Sequence, residues 1–389
     1  MQGAERSKAL AASQDPPARL AACVSRGKLE VMTDPADTRR SLYRAEDVSG
    51  LVRRKQAGRK HETVASNTLF GSEPSIPTAL CAFFKGRPCY RGHDVIKLAR
   101  SASLEETARL LWDTQQEVDF SLAALPRSQS IEAPGRVAAF TAMAGLTAAG
   151  HSTRGRLTRV LHQEAQGLVA TMADTFGAAA GDALLHRRFA RGWNQSPKVA
   201  ELLRMAMVLL VDHELTSSAF AARIAASTGA SLPACLMAGL ATLSGPLHGD
   251  ASGRVQVLFA EVAQRGEDVV VGHYLSNGLP LPGFGHHLYP DGDPRAAALL
   301  ASFEPAPTIT RFIGKVKDLA GLQPNIDVAL AALVAQHQLP ADAAFGLFAT
   351  ARSIGLLAHG LEQLGMAQVI RPRGRYVGLV PDLANPKRS

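Results

Sequence analysis

The chain has 389 residues, 46% hydrophobic and 20% charged, with a formal charge of +8, which describes a soluble globular protein of one or two domains. Met205 to Val211, the longest plainly apolar run, is far short of the roughly 20 residues that span a bilayer, and Arg6 and Lys8 lack an adjoining apolar signal segment. A cytoplasmic location without membrane contact follows, and the scattered Cys23, Cys81, Cys89 and Cys235, with no CxxC spacing, argue against a disulfide framework or a metal site.

The first sixty residues hold 13 Lys/Arg against 7 Asp/Glu, so this head carries six of the eight net positive charges. Ala4 to Ala12 and Pro16 to Ser25 are expected as two short helices, with Asp15 capping the second and Pro16 at its first position. The segment Lys28 to Thr33 and the run Arg39-Arg40-Ser-Leu-Tyr-Arg44 then read as a basic wing, and Ala45 to Lys55 as a third helix. Over about residues 1–66 this order resembles a winged helix-turn-helix of the MerR type, which implies contact with DNA.

Beyond the head, Ala and Leu dominate, apolar residues recur at three and four, and period-two runs are almost absent, so the fold is expected to be all-α. Ser103-Leu-Glu-Glu106 has the form of a capping box. Ser196-Pro197 marks the start of a helix through Val211 that is apolar on nearly every side and therefore central. Further helices are predicted at Leu232 to Leu243, Gly253 to Ala263, Pro307 to Leu319, Ile326 to Gln336 and Ala343 to Leu364.

Six segments carry chemical information. Gly245-Pro-Leu-His-Gly249 and Pro282-Gly-Phe-Gly-His-His-Leu-Tyr-Pro-Asp-Gly-Asp-Pro-Arg295 each set a histidine among glycines and prolines, where backbone can approach a ligand closely. Arg295 ends the second, a fork suited to a carboxylate. His213 follows the apolar helix in Leu210-Val-Asp-His-Glu, an expensive position for an unpartnered imidazole. Gln323-Pro-Asn-Ile-Asp327 puts an acid at a helix start, where a cap or first-turn acid is the commoner explanation. Arg352 lies within the apolar stretch Phe345 to Leu361 and must reach solvent or an anion. Arg371-Pro-Arg-Gly-Arg-Tyr-Val-Gly378 packs three arginines into five positions.

In order and wording these segments, with Tyr90-Arg-Gly-His-Asp94 and Leu110-Leu-Trp112 upstream, resemble the citrate synthase family from about Phe70 to Gly378. The resemblance implies a large helical lobe (67–262 and 366–389) and a small one (263–365) that closes over the substrates. It implies an acyltransferase that condenses oxaloacetate with acetyl-CoA to give citrate and free CoA, with no further cofactor. By the same resemblance Asp327 is the base, His248 the donor to the thioester oxygen and His286 the donor to the keto group. Arg295, Arg352 and Arg371 grip carboxylates with His213 as a further contact, and Arg371 reaches across a homodimer.

The chain departs from the family pattern at several positions. The usual GPLHGGAN reads Gly245-Pro-Leu-His-Gly-Asp-Ala-Ser252 here, so Asp250 adds a negative charge beside the CoA region and Ser252 replaces an amide able to support the histidine. GFGHRVYK becomes Gly283-Phe-Gly-His-His-Leu-Tyr-Pro290, placing His287 and Pro290 where two cations often meet CoA phosphates. Val328 and Ala329 replace an aromatic pair and widen the acyl pocket, which makes propionyl-CoA, giving 2-methylcitrate, a second substrate to test. The alternative reading, from the basic head, is a DNA-binding regulator whose helical body senses a ligand.

Overall fold

A computed structural model describes residues 3–5, 31–34, 37–44, 47, 76–121, 134–181, 183–366, 368–371 and 378. The chain divides into two compact units, Met1–Ile76 with Arg371–Ser389, and Pro77–Ile370.

In the first unit, strands β1 (Gly3–Glu5), β2 (Val31–Asp34) and β3 (Asp37–Arg44) form an antiparallel sheet in the order β1-β3-β2. Gly3 pairs with Arg44 and Val31 with Tyr43. Ala4 and Glu5, expected to open a helix, lie in a strand instead, because their backbone groups are taken up by the edge of β3. The hairpin of β2 and β3 falls where the wing was expected, while the remainder of the two expected helices and nearly all of the third lie outside the described residues.

The second unit opens with a small antiparallel sheet of β4 (Cys81–Phe84), β5 (Arg87–Tyr90) and β6 (His93–Asp94). Lys85 and Gly86 both have positive φ, the two-residue turn whose twist suits a hairpin. Fourteen helices follow among the described residues: α1 (Val95–Ser101), α2 (Leu104–Leu111), α3 (Arg136–Ala149), α4 (Thr158–Thr175), α5 (Leu185–Gly192), α6 (Pro197–Leu210), α7 (Ser217–Ser227), α8 (Leu232–Leu243), α9 (Ala251–Arg265), α10 (Glu267–Ser276), α11 (Pro294–Leu300), α12 (Pro307–Ala320), α13 (Ile326–Gln336) and α14 (Ala343–Gly365). The capping box opens α2 with both bonds formed, Glu106 N–H to Ser103 Oγ at 3.0 Å and Ser103 N–H to Glu106 Oε2 at 2.7 Å. Ser196 caps α6 and Pro197 stands in its first turn, as the sequence predicts.

Two apolar cores organise these helices. The larger draws on α1 to α8, α11 and α14, the smaller on α9, α10, α12 and one face of α13. Helix α13 lies between them, sending Ile326, Ala329, Leu330 and Leu333 to the first and Val328, Ala331 and Ala332 to the second. The smaller core thus takes in α9, which begins before the expected small lobe at 263–365, and leaves α14 in the larger one. Helix α14 is long and apolar enough to cross a membrane, but 94% of the relevant window is buried inside the protein, as in the core helix of a globular fold.

Gly355 sets how closely α14 approaches the end of α6. A Cβ there would stand 2.3 Å from the carbonyl oxygen of Val211 and 2.9 Å from Oδ1 of Asp212, so no larger residue fits without displacing backbone.

Candidate active site

The buried C-terminal end of α6 is the first support of the site. Helix ends leave carbonyls unpaired, and here Arg352 Nε on α14 donates to Leu210 O at 3.0 Å. The hydroxyl of Tyr90, fully buried, lies 3.2 Å from Val208 O and 3.1 Å from Asp212 O, and accepts from Asp212 N–H at 3.0 Å. The chain leaving α6 is thereby held straight into Asp212 and His213, both buried.

Behind this turn lies a polar relay that sequence reasoning did not find. Arg223 Nε donates to His359 Nδ1 at 3.0 Å, so the ring proton sits on Nε2, which faces Asp212 Oδ1 at 3.2 Å. Arg223 is fully buried and also pairs with Glu362, and burial lowers its guanidinium to about 10. His359 lies two turns beyond Arg352 on α14. Both faces of an arginine-bearing apolar helix must be partnered, and that was the available signal.

The glycine-flanked turn of His286 is fastened to the segment before α13. Gly285 N–H donates to Gln323 O and Asn325 N–H to Gly283 O, both at 2.8 Å. Gly283 has φ +81°, and a Cβ there would stand 2.6 Å from Val255 and from Val328, so the close approach requires glycine. Asn325 caps α13 by accepting from Asp327 N–H at 2.9 Å. Asp293 caps α11, accepts from Ile326 N–H at 3.0 Å, and holds Arg295 in a fork, Nε to Oδ1 at 3.0 Å and Nη2 to Oδ2 at 2.8 Å. These bonds bring the regions of His286, Arg295 and Asp327 together.

His213 joins them through rings. Its Nε2 lies 2.9 Å from the Tyr289 hydroxyl, and its ring meets His286 edge-on with centroids 5.4 Å apart. Phe83 of β4 closes the cluster at 5.1 Å from His213. Arg295 stands over the Tyr289 ring at 5.4 Å.

The fourth support is the turn after α8. His248 N–H donates to Gly245 O at 2.9 Å, and the side-chain Nε2 lies 2.9 Å from Ser218 Oγ on α7. Ser218 is also 3.1 Å from Thr216 Oγ1, which accepts from Ala219 N–H. With Thr216 donating to Ser218 and Ser218 to His248, both hydroxyl protons are used and the proton of a neutral ring sits on Nδ1. Four residues on, Ser252 in the first turn of α9 donates to Asp327 Oδ1 at 2.7 Å. The amide it replaces was read as a support for the histidine; the hydroxyl goes to the carboxylate. Asp250 is neutralised by Arg136, whose Nη2 lies 2.6 Å from its Oδ1. His287 is exposed and stacks on His286 at 4.9 Å with an interplanar angle of 11°.

Burial sets the protonation states. It pushes His248 and His286 down to about 4, helped by Arg352 for the first and Arg295 for the second. His213 is driven well below the usual imidazole range by burial and then by Arg295 and Arg352. All three rings are neutral at pH 7, and Leu288 N–H donating to His286 Nδ1 at 3.2 Å fixes the His286 proton on Nε2. Burial raises Asp327 to about 6, against the Ser252 hydrogen bond and the Arg295 charge that lower it. Two neutral imidazole donors, one carboxylate able to take a proton near neutrality and two buried arginines suit removal of a proton beside a carbonyl within an anionic substrate.

Arg371 is exposed and falls in the first unit. A separate cavity of about 630 Å³, bordered by Arg91, Trp112, Arg154, Arg156 and His162, contains none of the expected site residues.

The family model for the citrate synthase C-terminal domain matches residues 72–373. The chain belongs to the citrate synthase family. It is 32% identical over 345 residues to a citrate synthase of Haloferax volcanii, covering 75% of this chain and 90% of that one. The citrate synthase structure from Thermotoga maritima superposes with a TM-score of 0.68 at 23% identity, over 83% of this chain and 99% of that one. A citrate synthase of Thermoplasma acidophilum, solved as a ternary complex with carboxymethyl coenzyme A and oxaloacetate, superposes with a TM-score of 0.67 at 23% identity, over 81% and 96%. As a member of this family the chain is an acyltransferase that condenses oxaloacetate with an acyl-CoA and uses no other cofactor.

Proposed function

We propose that the cluster of His213, His248, His286, Arg295, Asp327 and Arg352 carries the condensation, with Asp327 as base. The observation that supports this most is the coexistence of a buried carboxylate near pKa 6 with two histidines held neutral around it. Asp327 removes a proton from the methyl carbon, α to the thioester carbonyl, of acetyl-CoA while His248, through Nδ1–H, donates to the thioester oxygen as the enol forms. The enol carbon adds to the keto carbon of oxaloacetate, and His286 Nε2–H meets the growing alkoxide. Water then cleaves the thioester, releasing CoA and citrate. Arg295 and Arg352 take the carboxylates of oxaloacetate, with His213 beside them.

A homodimer completes each site with Arg371 of the other copy, and closure of the smaller lobe shields the thioester from water. Propionyl-CoA is the second acyl donor to examine, since one extra methylene is worth only about 1–3 kcal/mol of discrimination; Val328 and Ala329 are themselves packed into the two cores. The test is release of free thiol on mixing the protein with oxaloacetate and either acyl-CoA. Release with neither, at high protein and saturating CoA ester, would sink the assignment.

The MerR-like reading of the head draws support from its basic charge and from the antiparallel hairpin of β2 and β3. It predicts duplex DNA binding that weakens steeply with salt and disappears on removal of residues 1–66. No binding at low salt would remove it.

A further inference from the structure

Ser252 and Asp327 lie 75 positions apart, yet the first turns of α9 and α13 bring them to 2.7 Å. Ser252 is 1% exposed, so its hydroxyl does not exchange this partner for solvent. Two buried arginines act on the same carboxylate by charge, but their hydrogen bonds go elsewhere: the Arg295 fork to Asp293 and Arg352 Nε to Leu210 O. Asp293 adds a repulsive charge from the cap of α11. Among the described residues the serine is therefore the direct side-chain donor to Asp327, and Oδ2 has no donor of its own.

We propose that Ser252 is the positioning residue for the base: it pins Oδ1, fixes the carboxylate about its terminal torsion, and leaves Oδ2 as the atom that takes the acyl α-proton. This rests on the assignment of Asp327 as base. The terminal torsion of an aspartate is broad, and without a donor on one oxygen either oxygen faces the substrate in a range of orientations. Proton transfer from carbon requires a narrow one. A single hydroxyl proton also favours the ionised carboxylate over the neutral acid, opposing the burial that raises it.

The test uses the full-length protein with Ser252→Ala, the near-isosteric weak donor Ser252→Cys, and Ser252→Thr, which restores the hydroxyl. Carbon-13 NMR of labelled aspartate, with the Asp327 resonance identified by its loss in Asp327→Asn, reads the carboxylate whether or not the protein turns over. Its midpoint rises by about one pH unit in the Ala and Cys variants and returns in Thr. In the same variants kcat falls about tenfold, exchange of acyl α-hydrogens with deuterated solvent slows with it, and KM for oxaloacetate is unchanged. An unmoved midpoint in both Ala and Cys overturns the proposal. So does a moved midpoint with undiminished exchange, because the serine then acts on charge without placing the oxygen. If the variants shift as expected by NMR but the wild-type protein releases no thiol, the condensing activity and the assignment of the base fall, while the hold of Ser252 on the carboxylate stands.

Discussion

The Tyr289 hydroxyl and His213 Nε2 lie 2.9 Å apart, joining the end of α6 in the larger core to the glycine-rich turn that precedes α11. Both side chains are buried, and Tyr289 also carries the Arg295 guanidinium over its ring. One phenol thus orients an imidazole and an arginine at once.

Replacing Tyr289 with Phe keeps the ring and removes the bond. His213 is left with an unsatisfied nitrogen, a cost of about 1–3 kcal/mol where it is buried. The expected result is a KM for oxaloacetate raised about tenfold or more with kcat little changed, measured by thiol release under saturating acyl-CoA. A fall confined to kcat would place the hydroxyl in the chemistry rather than in binding.

Asp327→Asn separates function from stability. A carboxyl raised from 3.8 to about 6 contributes stability that is fully present below its unfolded pKa and is lost as pH rises through 6. Ionising it in the folded protein therefore costs about 2–3 kcal/mol at pH 8. The neutral amide escapes that cost, so the variant should melt above the wild type at pH 8, with the gap shrinking towards pH 4, while α-hydrogen exchange is lost. Equal melting temperatures at pH 8 would contradict the buried, raised carboxyl.

The pH dependence of kcat/KM should show an acid limb of unit slope centred near 6. The base must be ionised, so activity falls as pH drops through that value. His248 and His286 stay neutral until about 4 and add no limb above it. A slope of two between pH 5 and 7 would mean that a histidine titrates there as well.

Arg352 is buried at 2% exposure, and its charge is chiefly disfavoured by that burial. Arg352→Met removes this desolvation cost along with the bond to Leu210 O, so the two losses partly offset and the variant should stay folded. Binding should still fail. Oxaloacetate at a hundredfold excess over its Kd stabilises a binding-competent protein by about 2.7 kcal/mol, and the corresponding rise in melting temperature should vanish in the variant. A retained shift would take Arg352 out of the anion site.

Much of the helical frame is legible in local sequence. The Ser103 capping box, the Ser196-Pro197 start, and the bounds of α8 and α13 depend on bonds within one turn, which neighbouring residues determine. Helices α1, α3, α4, α5, α7, α10 and α11 were not read; in α4, α5 and α7 the apolar faces are broken by His162, His186 and Arg223, polar residues that the tertiary fold buries. The strands β4 to β6 were missed because each is four residues or fewer.

Sequence alone determined the residue types of the site, because motif order and wording survive without coordinates: the histidines among glycines, the forked arginine, the acid at a helix start. Only the tertiary structure decided what each residue touches. That Ser252 serves Asp327 rather than His248, that Asp250 is cancelled by Arg136, and that Tyr289 holds His213 are contacts between segments 75 to 114 positions apart. No local preference encodes such pairs, for they follow from how helices with apolar faces stack around two cores, and from the closeness that Gly283 and Gly355 permit.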